Sequence, residues 1–171
     1  ITEERTIEEI SKSASMLSKK KIGTILAIQR EVSLEPYMES GVAIDSNLTS
    51  ELLNTIFMPN TPLHDGGVII HGDRIVAAGC LFPLTQNPDV SKLLGTRHRA
   101  AIGLSEETDA VCVVVSEETG IISVANAGKL THDLDRERLI NHLRALLYRP
   151  KKEKRPRVKL SANLFFKKKH D

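Results

Sequence analysis

"VIIHGDRIVAAGC", residues 68–80, decides the fold class. Val68 to Ile70 and Arg74 to Cys80 read as two strands. His71-Gly72-Asp73 joins them as a hairpin connection, because glycine supplies the positive φ that such turns need. Outward from this hairpin, Ala110 to Ser116 and Ile121 to Asn126 predict a second one, and Ile22 to Ile28 and Gly41 to Ile44 read as short strands. The intervening segments carry a helical period instead. Thr6 and Glu9 have the spacing of a capping box, and Ile7, Ile10, Ala14 and Leu17 then recur at three and four residues. The basic run Lys19 to Lys21 suits the negative end of that helix. Leu48, Leu52, Leu53, Ile56 and Phe57 form a second stripe, with Ser46 or Asn47 as its cap. Thr96 to Leu104 is expected as a short helix between the hairpins, and Leu139, Ile140, Leu143, Leu146 and Leu147 form a closing amphipathic helix. Hairpins interspersed with helices predict an α/β fold, a single domain with a central mixed β-sheet flanked by helices, rather than a strictly alternating parallel one.

A length of 171 residues supports one sizeable core, and 40% apolar with 27% charged residues is the balance of a soluble globular protein. With six aromatics, that core must be largely aliphatic. Cys80 and Cys112 lie in apolar runs without Cys-x-x-Cys or neighbouring His spacing, which argues against zinc and for reduced thiols. Ile75 to Leu84, the longest apolar run, is about half the length a bilayer-spanning helix requires. The chain opens on Ile1 without a signal-peptide pattern, so a fragment lacking its natural start is expected. The net charge of +2 hides an asymmetry: Arg149 to Asp171 carries ten Lys/Arg against two acids, a basic tail expected to be mobile until something binds it.

Three polar islands interrupt the apolar elements: "LHDGG" at 63–67, "GTRHR" at 95–99 and "SEETG" at 116–120. Each falls at a junction between elements, where a rigid scaffold presents side chains to a ligand, so three loops could converge on one cleft. Successive helical residues point about 100° apart, so Arg97, His98 and Arg99 can face one ligand only from a helix's first turn. There Thr96 would serve as cap or anion ligand, and the guanidiniums offer forked donors to phosphate oxygens; the alternative is a solvated basic turn. In "HDGG" the glycines allow close approach of a ligand. The Asp65 carboxylate can take a hydroxyl proton, bond a sugar or ligate a cation, and His64 could join a metal; the alternative is an ordinary turn before a strand. Ser116, Glu117 and Glu118 could meet a ribose, a base or a hydrated cation, or could simply form a polar hairpin loop. No P-loop, Rossmann glycine fingerprint or nucleophile elbow is present. The residues alone reach a polyanion held at a three-loop cleft.

Taken together, "NTPLHDGGVII", "LGTRHRAAIGLSEETDA" and "VVVSEETG" closely resemble the diadenylate cyclase domain family, which condenses two ATP molecules into cyclic di-AMP. The resemblance covers roughly Ile7 to Leu147 and is strongest to the membrane-anchored bacterial type. It implies an N-terminal amphipathic helix over 1–21 leading from a missing membrane region, a catalytic domain over 22–149 and a basic flexible tail over 150–171. The full-length protein would lie at the cytoplasmic face of the membrane, with this fragment soluble. It further implies that Asp65 helps activate the ribose 3′-hydroxyl, that Gly66 and Gly67 let the nucleotide approach, and that Thr96, Arg97, His98 and Arg99 hold the triphosphate. His64 becomes the protein ligand of a divalent cation, Mn2+, Mg2+ or Co2+. Ser116, Glu117 and Glu118 would bind substrate phosphate or the metal shell, and Leu81 and Phe82 would pack the adenine.

Because one site holds one ATP, the resemblance implies a homodimer in which two sites meet face to face, with scope for a regulatory protein partner. Two positions depart from the family pattern. Gly67 stands where alanine is usual, which is expected to loosen the loop without removing a catalytic group, and Leu81 replaces a common tyrosine, so that apolar packing substitutes for stacking on adenine. A competing reading is a non-catalytic module that binds ATP or a cyclic dinucleotide. The basic tail raises nucleic-acid binding, which is not expected, since Phe165 and Phe166 offer little stacking beside its charges.

Overall fold

The structure, a computed structural model, describes residues 4–148. Its first element, α1 (Glu4–Lys19), buries Ile7, Ile10, Ala14 and Leu17 completely, as their spacing predicts. The capping box does not form. Thr6 lies buried within the helix, and the Glu9 carboxylate instead accepts the Ser50 backbone N–H at 2.7 Å, so it serves the start of a different helix. That helix is α3 (Ser50–Phe57), whose cap is Thr49, its hydroxyl accepting from Leu52 N–H at 3.1 Å. Ser46 and Asn47 belong to a strand and do not cap it.

The strands are β1 (Thr24–Ile28), β2 (Val42–Asn47), β3 (Gly67–His71), β4 (Arg74–Cys80), β5 (Val111–Val115), β6 (Ile122–Asn126) and β7 (Lys129–Leu134). They form one sheet in the order β2-β4-β3-β1-β5-β6-β7. β1 and β3 pair in parallel and every other neighbouring pair is antiparallel, so the sheet is mixed, as expected. Both predicted hairpins are present, with Gly72 at φ +61 in the first turn. The remaining helices are α2 (Glu35–Met38), α4 (Thr96–Glu107) and α5 (Arg136–Leu147).

Alternation along the central strands separates two cores. Leu26, Ile28, Val113 and Val115 point into the cluster shared with α1, α3 and α5, whereas Ile25, Ala27, Cys112 and Val114 point towards α4. Both cysteines are free and buried, and burial pushes the Cys80 thiol up to about 11 and the Cys112 thiol up to about 12, which keeps them protonated core residues. Strand directions bring the starts of β1, β3 and β6, the ends of β5 and β7, and the N-terminus of α4 to one end of the sheet. The basic tail expected over 150–171 lies outside the described residues.

Candidate active site

At that end of the sheet lies a cavity of about 610 Å³. His64 and Asp65 line it from the loop before β3, Gly95 to His98 from the start of α4, and Ser116 to Thr119 from the turn after β5. The three polar islands therefore share one wall-to-wall space, although 27 residues of chain lie between the first and second and 16 between the second and third.

The first loop is held by its own polar atoms. Thr61 Oγ1 donates to the Met58 carbonyl at 2.8 Å, and His64 Nδ1 lies 2.6 Å from the Thr61 carbonyl. A carbonyl only accepts, so Nδ1 carries the proton and the neutral ring keeps its lone pair on Nε2. That tautomer suits a single metal ligand. Among the described residues no three His, Cys, Asp or Glu side chains cluster as a metal cage.

Helix α4 begins at Gly95, which occupies the cap position without a side-chain hydrogen bond, so Thr96 is the first helical residue and not the cap. The N–H groups of this first turn form the positive end of the helix beside the cavity. Arg97 lies 3.4 Å from the Glu117 carboxylate across the space. Its guanidinium also rests against the Gly23 backbone, where a Cβ would approach Nη1 to 2.4 Å, so the absence of a side chain there makes room for it. His98 is 6% exposed, and its Nε2 has no hydrogen-bond partner among the described residues. Burial, then the neighbouring His132 and Arg97, hold His98 below its ordinary pKa and favour the neutral ring. Arg99 points elsewhere: Nη2 donates to the Ser91 carbonyl at 3.2 Å, and the side chain does not line the cavity. The 100° step along a helix thus divides the triplet, leaving Arg97 and His98 inside.

Ser116 organises the third loop, its hydroxyl accepting from the N–H groups of Glu118 and Thr119, both at 3.2 Å. Glu117 and Glu118 are exposed at its tip. Gly66, Gly67, Leu81 and Phe82 are outside the lining. Leu81 is 71% exposed, whereas Phe82 is buried edge-on against Tyr37 with ring centroids 6.3 Å apart. A Cβ on Gly67 would lie 2.2 Å from Phe82 Cε2, so the space a methyl would take is filled by the ring and the loop is not loosened. Three contributors had no sequence signal. Leu93 and Leu94 sit in an irregular connection, and His132 is a lone histidine in the polar strand β7.

Residues 11–130 match the family described as DAC, DisA bacterial checkpoint controller nucleotide-binding. The chain belongs to this family. Among DAC relatives, it is 48% identical over 143 residues to the cyclic di-AMP synthase CdaA of Bacillus subtilis, a match covering 84% of this chain and 52% of that protein. It is 47% identical over 133 residues to a diadenylate cyclase of Listeria monocytogenes, covering 78% and 49%. The chain spans about half the length of these curated relatives. A crystal structure of a double mutant of DacA from Staphylococcus aureus superposes with a TM-score of 0.83 at 46% identity, covering 85% of this chain and 97% of that one. A second structure, described as a hypothetical membrane spanning protein from Bacillus cereus, gives a TM-score of 0.74 at 43% identity over 78% and 64%. Among the described residues of this DAC domain, no helix is long and apolar enough to cross a membrane.

Proposed function

We propose that the chain is the catalytic part of a diadenylate cyclase, which joins two ATP molecules into cyclic di-AMP and releases two pyrophosphates. The observation that carries this reading is the meeting of the Asp65 loop, the α4 start and the Ser116–Glu118 turn on a single cavity. Membership of the DAC family and the names of its relatives support the same activity.

In the reaction each ribose 3′-oxygen forms a bond to the α-phosphorus of the other ATP as the α–β bridge breaks. Asp65, exposed at the cavity edge, receives the hydroxyl proton as the 3′-oxygen attacks. Arg97 and the first-turn N–H groups of α4 hold the phosphates, and the 3.4 Å pair with Glu117 exchanges for phosphate when substrate enters. His98 borders that cradle, with its Nε2 buried and unpartnered behind it. Glu118 and the Ser116 turn close the opposite side. A divalent cation, manganese, magnesium or cobalt, fits His64 Nε2 and would neutralise triphosphate charge during attack. With one nucleotide bound per cavity, two chains must face each other for two substrates to react, which makes the homodimer the working unit. An anchor preceding α1 and a regulatory partner belong to this reading of the whole protein.

The test is product formation from ATP with manganese. Asp65→Asn should still bind ATP but form product about 10²- to 10⁴-fold more slowly, the usual range for loss of a general base. Full turnover by that variant would remove the role given to Asp65. ATP binding without product at any protein concentration or with any of the three cations would favour a sensing module instead.

A further inference from the structure

We propose that His132 is a further substrate-binding residue, which meets the terminal phosphates of the nucleotide from the wall opposite the His64–Asp65 loop. This rests on the reading of the cavity as an ATP site.

The edge strand β7 is distorted where it pairs with β6. β6 and β7 pair at Val124 with Thr131 and at Ile122 with Leu134, so a single residue, Ser123, faces two, His132 and Asp133. That is a β-bulge, and Asp133 sits in the left-handed region at φ +60. Bulges re-aim side chains, and a non-glycine residue in this conformation is held by its surroundings. Here the outcome is visible: His132 Nδ1 lies 2.9 Å from the hydroxyl of Ser123, which is itself completely buried. With Nδ1 engaged, Nε2 is the nitrogen left for the cavity that His132 lines.

Its position fixes the part of the ligand it meets. The His64–Asp65 loop enters the cavity beside β3 and His132 beside β7, four strand steps away, roughly 19 Å at ~4.8 Å per step. An elongated ligand with its ribose hydroxyl at Asp65 extends its phosphate chain past α4 towards β7. The ring of His132 stands 6.4 Å from that of His98, on the anion-binding side of the cavity. His132 thus continues the cradle made by Arg97 and bordered by His98 to the end where pyrophosphate departs.

The experiment compares binding of an ATP analogue with a methylene α,β-bridge, and of AMP, to wild type, His132→Ala, His132→Asn and His132→Gln. The asparagine amide mimics Nδ1 and keeps the Ser123 bond; the glutamine amide reaches as far as Nε2. Loss of one hydrogen bond to a charged phosphate should weaken analogue binding about tenfold in the alanine and asparagine variants, with glutamine restoring most of it. AMP, which lacks the terminal phosphates, should bind all four alike. Equal analogue affinity in all four proteins overturns the proposal. So does rescue by asparagine and not glutamine, which would leave only the anchor to Ser123, or an equal loss for AMP, which would move the contact away from the terminal phosphates. If wild type binds neither ligand, the ATP-site reading fails and this proposal with it; if wild type binds and the variants match it, only this proposal fails.

Discussion

At Gly67 a missing methyl and a neighbouring ring occupy the same volume. The tip of Phe82 would be 2.2 Å and 2.6 Å from a Cβ at this position, far inside contact distance, and Phe82 is only 9% exposed against Tyr37, so the ring has little room to retreat. Gly67→Ala should therefore destabilise the fold by about 1–3 kcal/mol, the usual cost of overpacking. Phe82→Leu shortens the obstructing side chain, and in the double variant the alanine should be tolerated, giving a coupling of about 1–2 kcal/mol in denaturant melts. An unchanged midpoint for Gly67→Ala alone would show that the ring moves freely. The same residue scale explains why the basic triplet does not act as a unit: Arg97 and His98 face the cavity, but the next residue has turned far enough for Arg99 to bond Ser91.

Among the elements, α1 reaches the candidate site by its last turn. The Ser18 hydroxyl donates to the Gly120 carbonyl, which closes the turn bearing Ser116, Glu117 and Glu118. Gly120 has φ +75, and a Cβ on it would stand 2.5 Å from the Ser18 carbonyl oxygen. Gly120→Ala should cost about 1–3 kcal/mol through backbone strain and also weaken nucleotide binding, because the turn must shift away from α1. Ser18→Ala, which removes only the hydrogen bond, should cost about 0.5–1.5 kcal/mol. A melting temperature and an ATP-analogue affinity unchanged in Gly120→Ala would disconnect α1 from the site. This link was invisible in the sequence because it joins residues 102 apart. The stripes of α1 and α5 were legible because burial on one face imposes a period of about 3.6, and both hairpins because their strands form short apolar runs bounded by turn residues. α2 has only four residues, too few to display a period, and β7 is a largely exposed edge strand whose "KLTHDL" shows no apolar alternation. With β7 unrecognised, its histidine could not be assigned to the cavity. The caps failed for a related reason: spacing suggested that Thr6 and Glu9 served their own helix, whereas the tertiary fold gave Glu9 to α3.

For the whole molecule, the decisive quantity is how many chains a turnover needs. The connection from β4 to α4 leaves Leu81 71% exposed, Leu84 47% exposed and Leu93 93% exposed, and Leu93 also borders the cavity. Apolar groups at the mouth of a charged cleft support an encounter with another surface there. In the face-to-face reading each chain contributes its own Asp65, and both bonds of the cyclic product require a competent partner. Asp65→Asn chains added to wild type, at concentrations where dimers predominate, should therefore form mixed pairs that bind ATP but cannot complete the ring. With equal amounts, about a quarter of the dimers are wild type on both sides, and product formed per wild-type chain should fall to about half. A further excess of the variant should carry the rate towards zero. Dilution of wild type alone should lower its rate per chain as dimers dissociate. If added variant leaves the wild-type rate untouched while dilution also has no effect, one chain suffices and the two-site mechanism is wrong.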